Sequence, residues 1–508
     1  MSTSVKEMRL VQDEVKGVLQ GRLPSRRLLM ASGALSSILI LISSLAPDSQ
    51  LTSKILGSWF FGMPNGPLTI SAIAGVPEYL IFGAGFLLGL FAWWELVRSV
   101  REGRYSIREL VWMAAVWYSP LLLAGPLYSR DVYAYAAIGE MVSRHISPYL
   151  YGPNILGATP YLNTVDPIWG NAPAPYGPIF LWLSGLVAVG TFHDPFATML
   201  VIRVLAIAAT IGVAWLATLL ARELGYDHRL ALVLVGLNPL IVFHLASSAH
   251  NDLYMMLFLL AGLLAYARRH PIVAVVLVSL AVAVKVPAVV ALAFIAWGAT
   301  PGNDLRTKIR PALTYGAIAL VTVGVVSAAT GLGWGWIHNL GTPGLVLNPA
   351  VPTTAITGWV NRITSVVGLS PGYGTWLTIF RALGLAAAGT TGLYFVVRFR
   401  HFGLEKAIGY SLLALVLFGP VIQSWYIAWG VVVLATMPTK RVTYGVVGVS
   451  VLGMVYGLPY GGPIVAWTAY GLIAAGALWV LAARFSWTPV NAAFGRVALV
   501  AGRFAHPE

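Results

Sequence analysis

Residues 107–127 read IRELVWMAAVWYSPLLLAGPL, and residues 128–135 continue YSRDVYAY. The first string is apolar over the roughly 20 residues a helix needs to cross a bilayer core. The second places Arg130 and Asp131 among tyrosines just beyond that span. An ionisable pair at this depth is costly unless it has a function. The stretch therefore points to a membrane-embedded chain whose chemistry sits at the membrane surface, and Asp131 is the foremost candidate for carrying it.

Working outward, the composition supports the class. Of 508 residues, 58% are hydrophobic and only 10% charged, with a mean hydropathy of +0.78, more than a soluble core of this length requires. An all-α polytopic membrane protein is expected. The chain has no cysteine, which excludes disulfides, thiolate catalysis and cysteine metal sites. Residues 1–27 are charged and lack a signal-peptide apolar segment. Val5, Met8, Val11, Val15, Val18 and Leu19 would align on one face of an interfacial helix, the alternative being a disordered tail.

Hydrophobic length and the positions of Lys and Arg predict about fourteen crossings: residues 28–46, 77–98, 107–127, 197–222, 229–247, 251–268, 271–285, 287–299, 311–330, 376–398, 405–422, 425–437, 441–457 and 464–484. Segments 271–285, 287–299 and 425–437 are short enough to be broken or re-entrant helices. Tyr176 to Gly190 is apolar enough to cross, but a crossing there would put Arg222, Arg229, Arg268 and Arg269 outside. It is therefore read as re-entrant or surface-lying. Residues 28–484 then form one integral membrane domain between cytoplasmic tails at 1–27 and 485–508. The exterior is charge-neutral and the whole net charge of +14 lies inside, so the basic balance orients the protein and implies no nucleic-acid partner.

Two long loops, 128–175 and 331–375, face outward in this topology and are rich in aromatics, Gly, Pro and Asn, which suits a site carried on a rigid scaffold. Asp131 begins a stretch to Arg144 that would form a helix along the interface; the bland alternative makes it an N-cap or a partner for Arg130. Ser247-Ser248-Ala249-His250-Asn251-Asp252 and Gln423-Ser424-Trp425-Tyr426 are polar clusters at other outer turns. Lys285, Arg203 and Arg381 are lone cations near the outer ends of apolar helices. They would either snorkel or bind a lipid phosphate. The glycine-rich run 331–335 lacks the context of a phosphate loop, and Gly85 with Gly89 would let two helices pack closely.

The segments YSRDVYAYAAIGEMV (128–142), SPYLYGP (147–153), APYGPIFLWL (174–183) and SSAHNDLYMM (247–256) resemble the actinobacterial polyprenol-phosphomannose-dependent α-1,6-mannopyranosyltransferases, the MptA/MptB family of C-type (GT-C) membrane glycosyltransferases. The resemblance runs from about residue 110 to 300 and more weakly to about 480. It implies a GT-C fold with interfacial helices in the first large extracytoplasmic loop, a polyprenyl-phosphate-mannose donor and an α-mannan glycolipid acceptor of lipomannan or lipoarabinomannan. The enzyme would lie in the plasma membrane, with both termini cytoplasmic and the site outside. A β-linked donor giving an α-1,6 product implies one inverting displacement and one general base. That base would be Asp131, with Asp166 and Glu140 in reserve. His250 and Asp252 would orient the acceptor or Asp131, and Lys285, Arg381 or Arg203 would stabilise the leaving phosphate. Arg130, Tyr133, Tyr176, Asn251, Gln423, Trp425 and Tyr426 would contact substrate. No cofactor or metal is expected, although Asp131, His250 and Asp252 brought together would suit a divalent ion. The alternatives are another lipid-linked sugar as donor, or a transporter or flippase; a transporter should place its charges near mid-membrane in matched halves.

Overall fold

The computed structural model describes residues 24–47, 49, 51, 61–63, 68–369 and 371–457. The expected N-terminal interfacial helix, the last crossing at 464–484 and the tail 485–508 lie outside these residues. The regular elements described are all helical, in the order α1 (Arg26–Ser44), α2 (Val76–Arg101), α3 (Ile107–Tyr118), α4 (Asp131–Ser143), α5 (Pro178–Gly190), α6 (Pro195–Glu223), α7 (His228–Ala246) and α8 (Asp252–Ala267). There follow α9 (Pro271–Val282), α10 (Val286–Gly298), α11 (Leu305–Ala329), α12 (Pro352–Val366), α13 (Tyr373–Phe402), α14 (Leu404–Phe418), α15 (Ser424–Leu434) and α16 (Lys440–Tyr456).

Six of these, α1, α2, α6, α7, α11 and α13, are long and apolar enough to cross a membrane, as expected of a polytopic membrane protein. The remaining expected crossings within the described residues are shorter helices. The 107–127 segment is helical only to Tyr118 and then tightens into a 3₁₀ turn at Ser119–Leu122, because Pro120 and Pro126 cannot donate to a continuing helix.

Contacts between helix termini sort the molecule into two ends. At the basic end, Arg26 of α1 pairs with Glu109 of α3, Arg101 of α2 donates to the Tyr444 hydroxyl of α16 at 2.7 Å, and Arg268 of α8 pairs with Glu223 of α6 at 3.0 Å. At the other end lie the long loops. Between them α1 and α2 pack at the Gly85/Gly89 stripe. Ser36 Oγ donates to the Gly85 carbonyl at 2.6 Å, and a methyl at Gly89 would fall 2.5 Å from Ser36 Oγ, so close approach is what these glycines provide.

Two helices belong to the loop end alone. At about 1.5 Å per residue, the 13 residues of α5 fall well short of the ~30 Å core. Both ends of α5 are tied to loop-end neighbours: Gly177 N donates to Val284 O at 2.9 Å, and Thr191 bonds Thr198 of α6 at 2.7 Å. The expected surface-lying helix thus pairs with α4. The expected helix beginning at Asp131 forms as α4, and it is packed within the protein on nearly every face. Val132 through Met141 are all buried, because Gly139 admits the Ser184 backbone (a Cβ there would sit 2.4 Å from Ser184 O). Its alanines allow similarly close packing on the other faces.

Candidate active site

Asp131 is the first residue of α4, after Arg130 in the N-cap position. Neither simple structural role applies to it. Arg130 turns away and donates from Nε and Nη2 to Thr164 O (3.0 and 2.6 Å) and from Nη2 to Val165 O (3.2 Å), pinning the loop. The Asp131 carboxylate accepts instead from Trp169 Nε1 at 3.2 Å, and its Oδ2 stands 3.4 Å from His250 Nδ1. Its side chain is only 14% exposed. Burial pushes the carboxyl up to about 6, against the opposing pull of Lys285 and of hydrogen bonds from Ser129 and Trp169, a value suited to proton transfer near neutral pH.

A break in the helices delivers the second charged group. Pro287 has no N–H and cannot continue a helix from α9, so the Ala283 and Val284 carbonyls are released. They are claimed by Ile179 N at 3.2 Å and Gly177 N at 2.9 Å. Gly177 is required for this approach, since a Cβ there would lie 2.1 Å from Ala283 O. The same break places Lys285 against Tyr176 and Tyr426 of the cleft lining. Its Nζ donates to both oxygens of Asp252 at 2.8 and 2.9 Å and sits 4.5 Å from the Tyr426 ring centroid, with Tyr176 at 5.6 Å and Trp429 at 5.5 Å. Trp429 Nε1 also donates to Asp252 Oδ1 at 2.6 Å. Lys285 is also close enough to Asp131 to favour the ionised form of that carboxyl.

His250 is completely buried and stacks on Trp425 at 3.9 Å between centroids. Burial, with the Lys285 charge beside it, holds the imidazole well below its usual pKa, so it faces Asp131 as a neutral ring. The cleft above these groups is lined by Asp131, Trp169, Tyr176, Gln423, Trp425 and Tyr426, walled by Pro173, Pro175 and Pro343.

The structure therefore gathers Asp131, His250, Asp252, Lys285, Tyr176, Gln423, Trp425 and Tyr426 into one place, although they come from loops and helices far apart in sequence. Other candidates are engaged elsewhere. Arg203 donates to Phe61 O at 3.3 Å and Ala124 O at 2.9 Å, and Arg381 donates to Gly344 O at 2.8 Å, behind the cleft wall. Tyr133 donates to Gly62 O, and Asn251 is buried beneath the turn. Glu140 is held by Arg144 and His193 at 2.6 and 2.7 Å, and Asp166 caps the 3₁₀ turn at Pro167–Trp169 through Ile168 N at 3.1 Å. Within this cluster Asp252 is taken up by Lys285 and Trp429. Among the described residues no group of three or more His, Asp or Glu is placed to hold a metal ion. Trp169 and Trp429 were not singled out from the sequence; only their partnership with carboxylates 38 and 177 residues away distinguishes them from interfacial tryptophans.

Residues 30–301 match the family model described as "Alpha-(1->6)-mannopyranosyltransferase, N-terminal domain", and residues 353–485 match "MptB C-terminal domain". The chain is 29% identical to alpha-(1->6)-mannopyranosyltransferase A of Mycobacterium tuberculosis over 76% of its length and 78% of the relative's. It is 27% identical to a probable alpha-(1->6)-mannopyranosyltransferase of Mycolicibacterium smegmatis, covering 80% and 78%. With alpha-(1->6)-mannopyranosyltransferase B of Corynebacterium glutamicum it shares 26% identity, covering 84% and 76%. No solved structure matches.

Proposed function

The chain belongs to the alpha-(1->6)-mannopyranosyltransferase family, and from that premise we propose an inverting GT-C enzyme that moves mannose from a polyprenyl phosphate to an α-1,6-mannan acceptor of the lipomannan type. The reading rests on one observation above all. A nearly buried carboxylate, Asp131, stands at the floor of an aromatic cleft with Lys285 beside it.

In the reaction the acceptor 6-hydroxyl attacks the anomeric carbon, the C1–O bond to phosphate breaks and the 6-hydroxyl proton passes to Asp131. Trp169 and Tyr176 border the space above the carboxylate, where sugar faces stack and water is displaced. Two of the three Lys285 N–H groups are spoken for by Asp252; the third is available to the departing phosphate, whose growing charge it stabilises. Asp252 thus acts by positioning Lys285, and neither orients the acceptor nor supports Asp131 directly. Arg381 and Arg203 have no part in the step. The positive-inside rule puts the basic end in the cytoplasm and the cleft on the extracytoplasmic face of the plasma membrane, where lipid-linked donors replace sugar nucleotides.

The test is a membrane assay with labelled polyprenyl-phosphomannose and a short α-1,6-mannoside. Elongated mannoside is expected from the lipid donor alone. Product formed from a sugar nucleotide without lipid carrier would overturn the donor assignment.

A further inference from the structure

At the basic end, opposite the aromatic cleft, the termini of α6, α8, α9, α10 and α14 surround a second cavity of about 520 Å³, lined by Leu224, Tyr266, Arg269, Pro271, Tyr315 and Glu405 among others. It belongs to no part of the transfer site. Its neighbouring cations are already committed: Lys308 donates to Trp297 O and Thr300 O at 2.7 and 2.6 Å, and Arg400 binds the carbonyls of Gly302 and Thr300.

Two charges remain. Glu405, in the first turn of α14, is only 5% exposed, yet among the described residues its carboxylate accepts a hydrogen bond only from its own backbone N–H, with the Lys406 charge acting on it from the next position in the chain. Arg269 opens into the same cavity from a backbone with φ +66° and forms no ion pair with Glu405. A buried carboxylate normally recruits a partner, because leaving it alone costs several kcal/mol. Here a cation and an anion share one chamber without meeting, and Tyr266 and Tyr315 border the same space. Separated opposite charges between aromatic rings complement a ligand that is itself a zwitterion: a phosphate for Arg269, and an ammonium for Glu405 with ring faces to receive it.

We propose that this cavity binds the headgroup of a zwitterionic aminophospholipid, of the phosphoethanolamine class. The lipid surface supplies such a headgroup at the depth of the helix termini, and basic pockets between helix ends are known places for headgroup capture. A primary ammonium also donates three hydrogen bonds, which a choline headgroup cannot do, so the site distinguishes the two.

Native mass spectrometry of the delipidated full chain, titrated with dioleoyl phosphatidylethanolamine, phosphatidylcholine or phosphatidylglycerol, tests this. Wild type is expected to retain phosphatidylethanolamine at least about 5-fold better than either alternative, a difference of about 1 kcal/mol. Glu405→Gln should erase that preference and leave phosphatidylglycerol binding intact. Arg269→Gln, which keeps the same backbone requirement, should weaken both phosphatidylethanolamine and phosphatidylglycerol. Equal retention of all three lipids by wild type, or tighter phosphatidylglycerol than phosphatidylethanolamine, overturns the zwitterion assignment without any variant having to fold. Unchanged preference in a folded Glu405→Gln protein overturns it as well.

Discussion

Burial gives the Asp131 carboxyl a pKa of about 6, so the base is ionised above that pH and is lost as pH falls through it. Turnover should show an acidic limb near pH 6. Asp131→Asn keeps the shape and removes the base, and is expected to lower turnover at least about 100-fold in folded, inserted protein; near-normal rates would remove Asp131 from the mechanism. Trp169 tests the electrostatics separately. Its indole N–H favours the carboxylate, so Trp169→Phe should move the acidic limb upward by up to about one unit, equivalent to about 1.4 kcal/mol. A limb that stays put would show that the hydrogen bond does not tune the base. Lys285 needs a paired control. Lys285→Met alone strands Asp252 as a buried unpaired charge, a loss of about 3–5 kcal/mol. The Asp252→Asn/Lys285→Met double variant should recover thermal stability yet still use the lipid donor about 10-fold or more less well. Wild-type donor kinetics in the double variant would reduce Lys285 to a structural cation.

At the scale of elements, the site depends on one helix break. Pro287 frees the Ala283 and Val284 carbonyls, Gly177 and Ile179 occupy them, and Tyr176 is thereby brought to Lys285. Gly177→Ala would drive a methyl into the Ala283 carbonyl. Overpacking of this kind costs about 1–3 kcal/mol, and here it would also part the loop from α9. Lowered turnover together with a lowered melting temperature is expected, while Gly190→Ala, which meets nothing within 4 Å, should alter neither. Equal behaviour of the two variants would show that the contact is dispensable. The break itself was legible from Lys285-Val286-Pro287, because proline's missing donor is a property of the residue. Its consequence was not, since the chain that claims the freed carbonyls lies more than 100 residues earlier.

For the whole molecule, the orientation proposed from the positive-inside rule is open to direct test. The chain has no cysteine, and Pro160, Leu345 and Glu102 are exposed. Pro160→Cys and Leu345→Cys should react with an impermeant maleimide added to intact cells, and Glu102→Cys only after permeabilisation. The opposite labelling pattern would put the cleft in the cytoplasm.

Hydrophobic length and composition alone determined that this is a helical membrane protein, and the sequence by itself put Asp131 at the edge of the apolar segment 107–127. These are local or additive properties: each residue contributes its transfer free energy wherever its neighbours lie. Which cation stands beside Asp131 was decided only by tertiary structure. Arg203, Lys285 and Arg381 look alike in the sequence, each a single charge near the end of an apolar helix. Packing gives the first to the carbonyls of Phe61 and Ala124, the last to that of Gly344, and Lys285 to Asp252 in the aromatic cleft. A buried charge must find its partner in space, and that partner is chosen by how helices distant in sequence come to lie against one another.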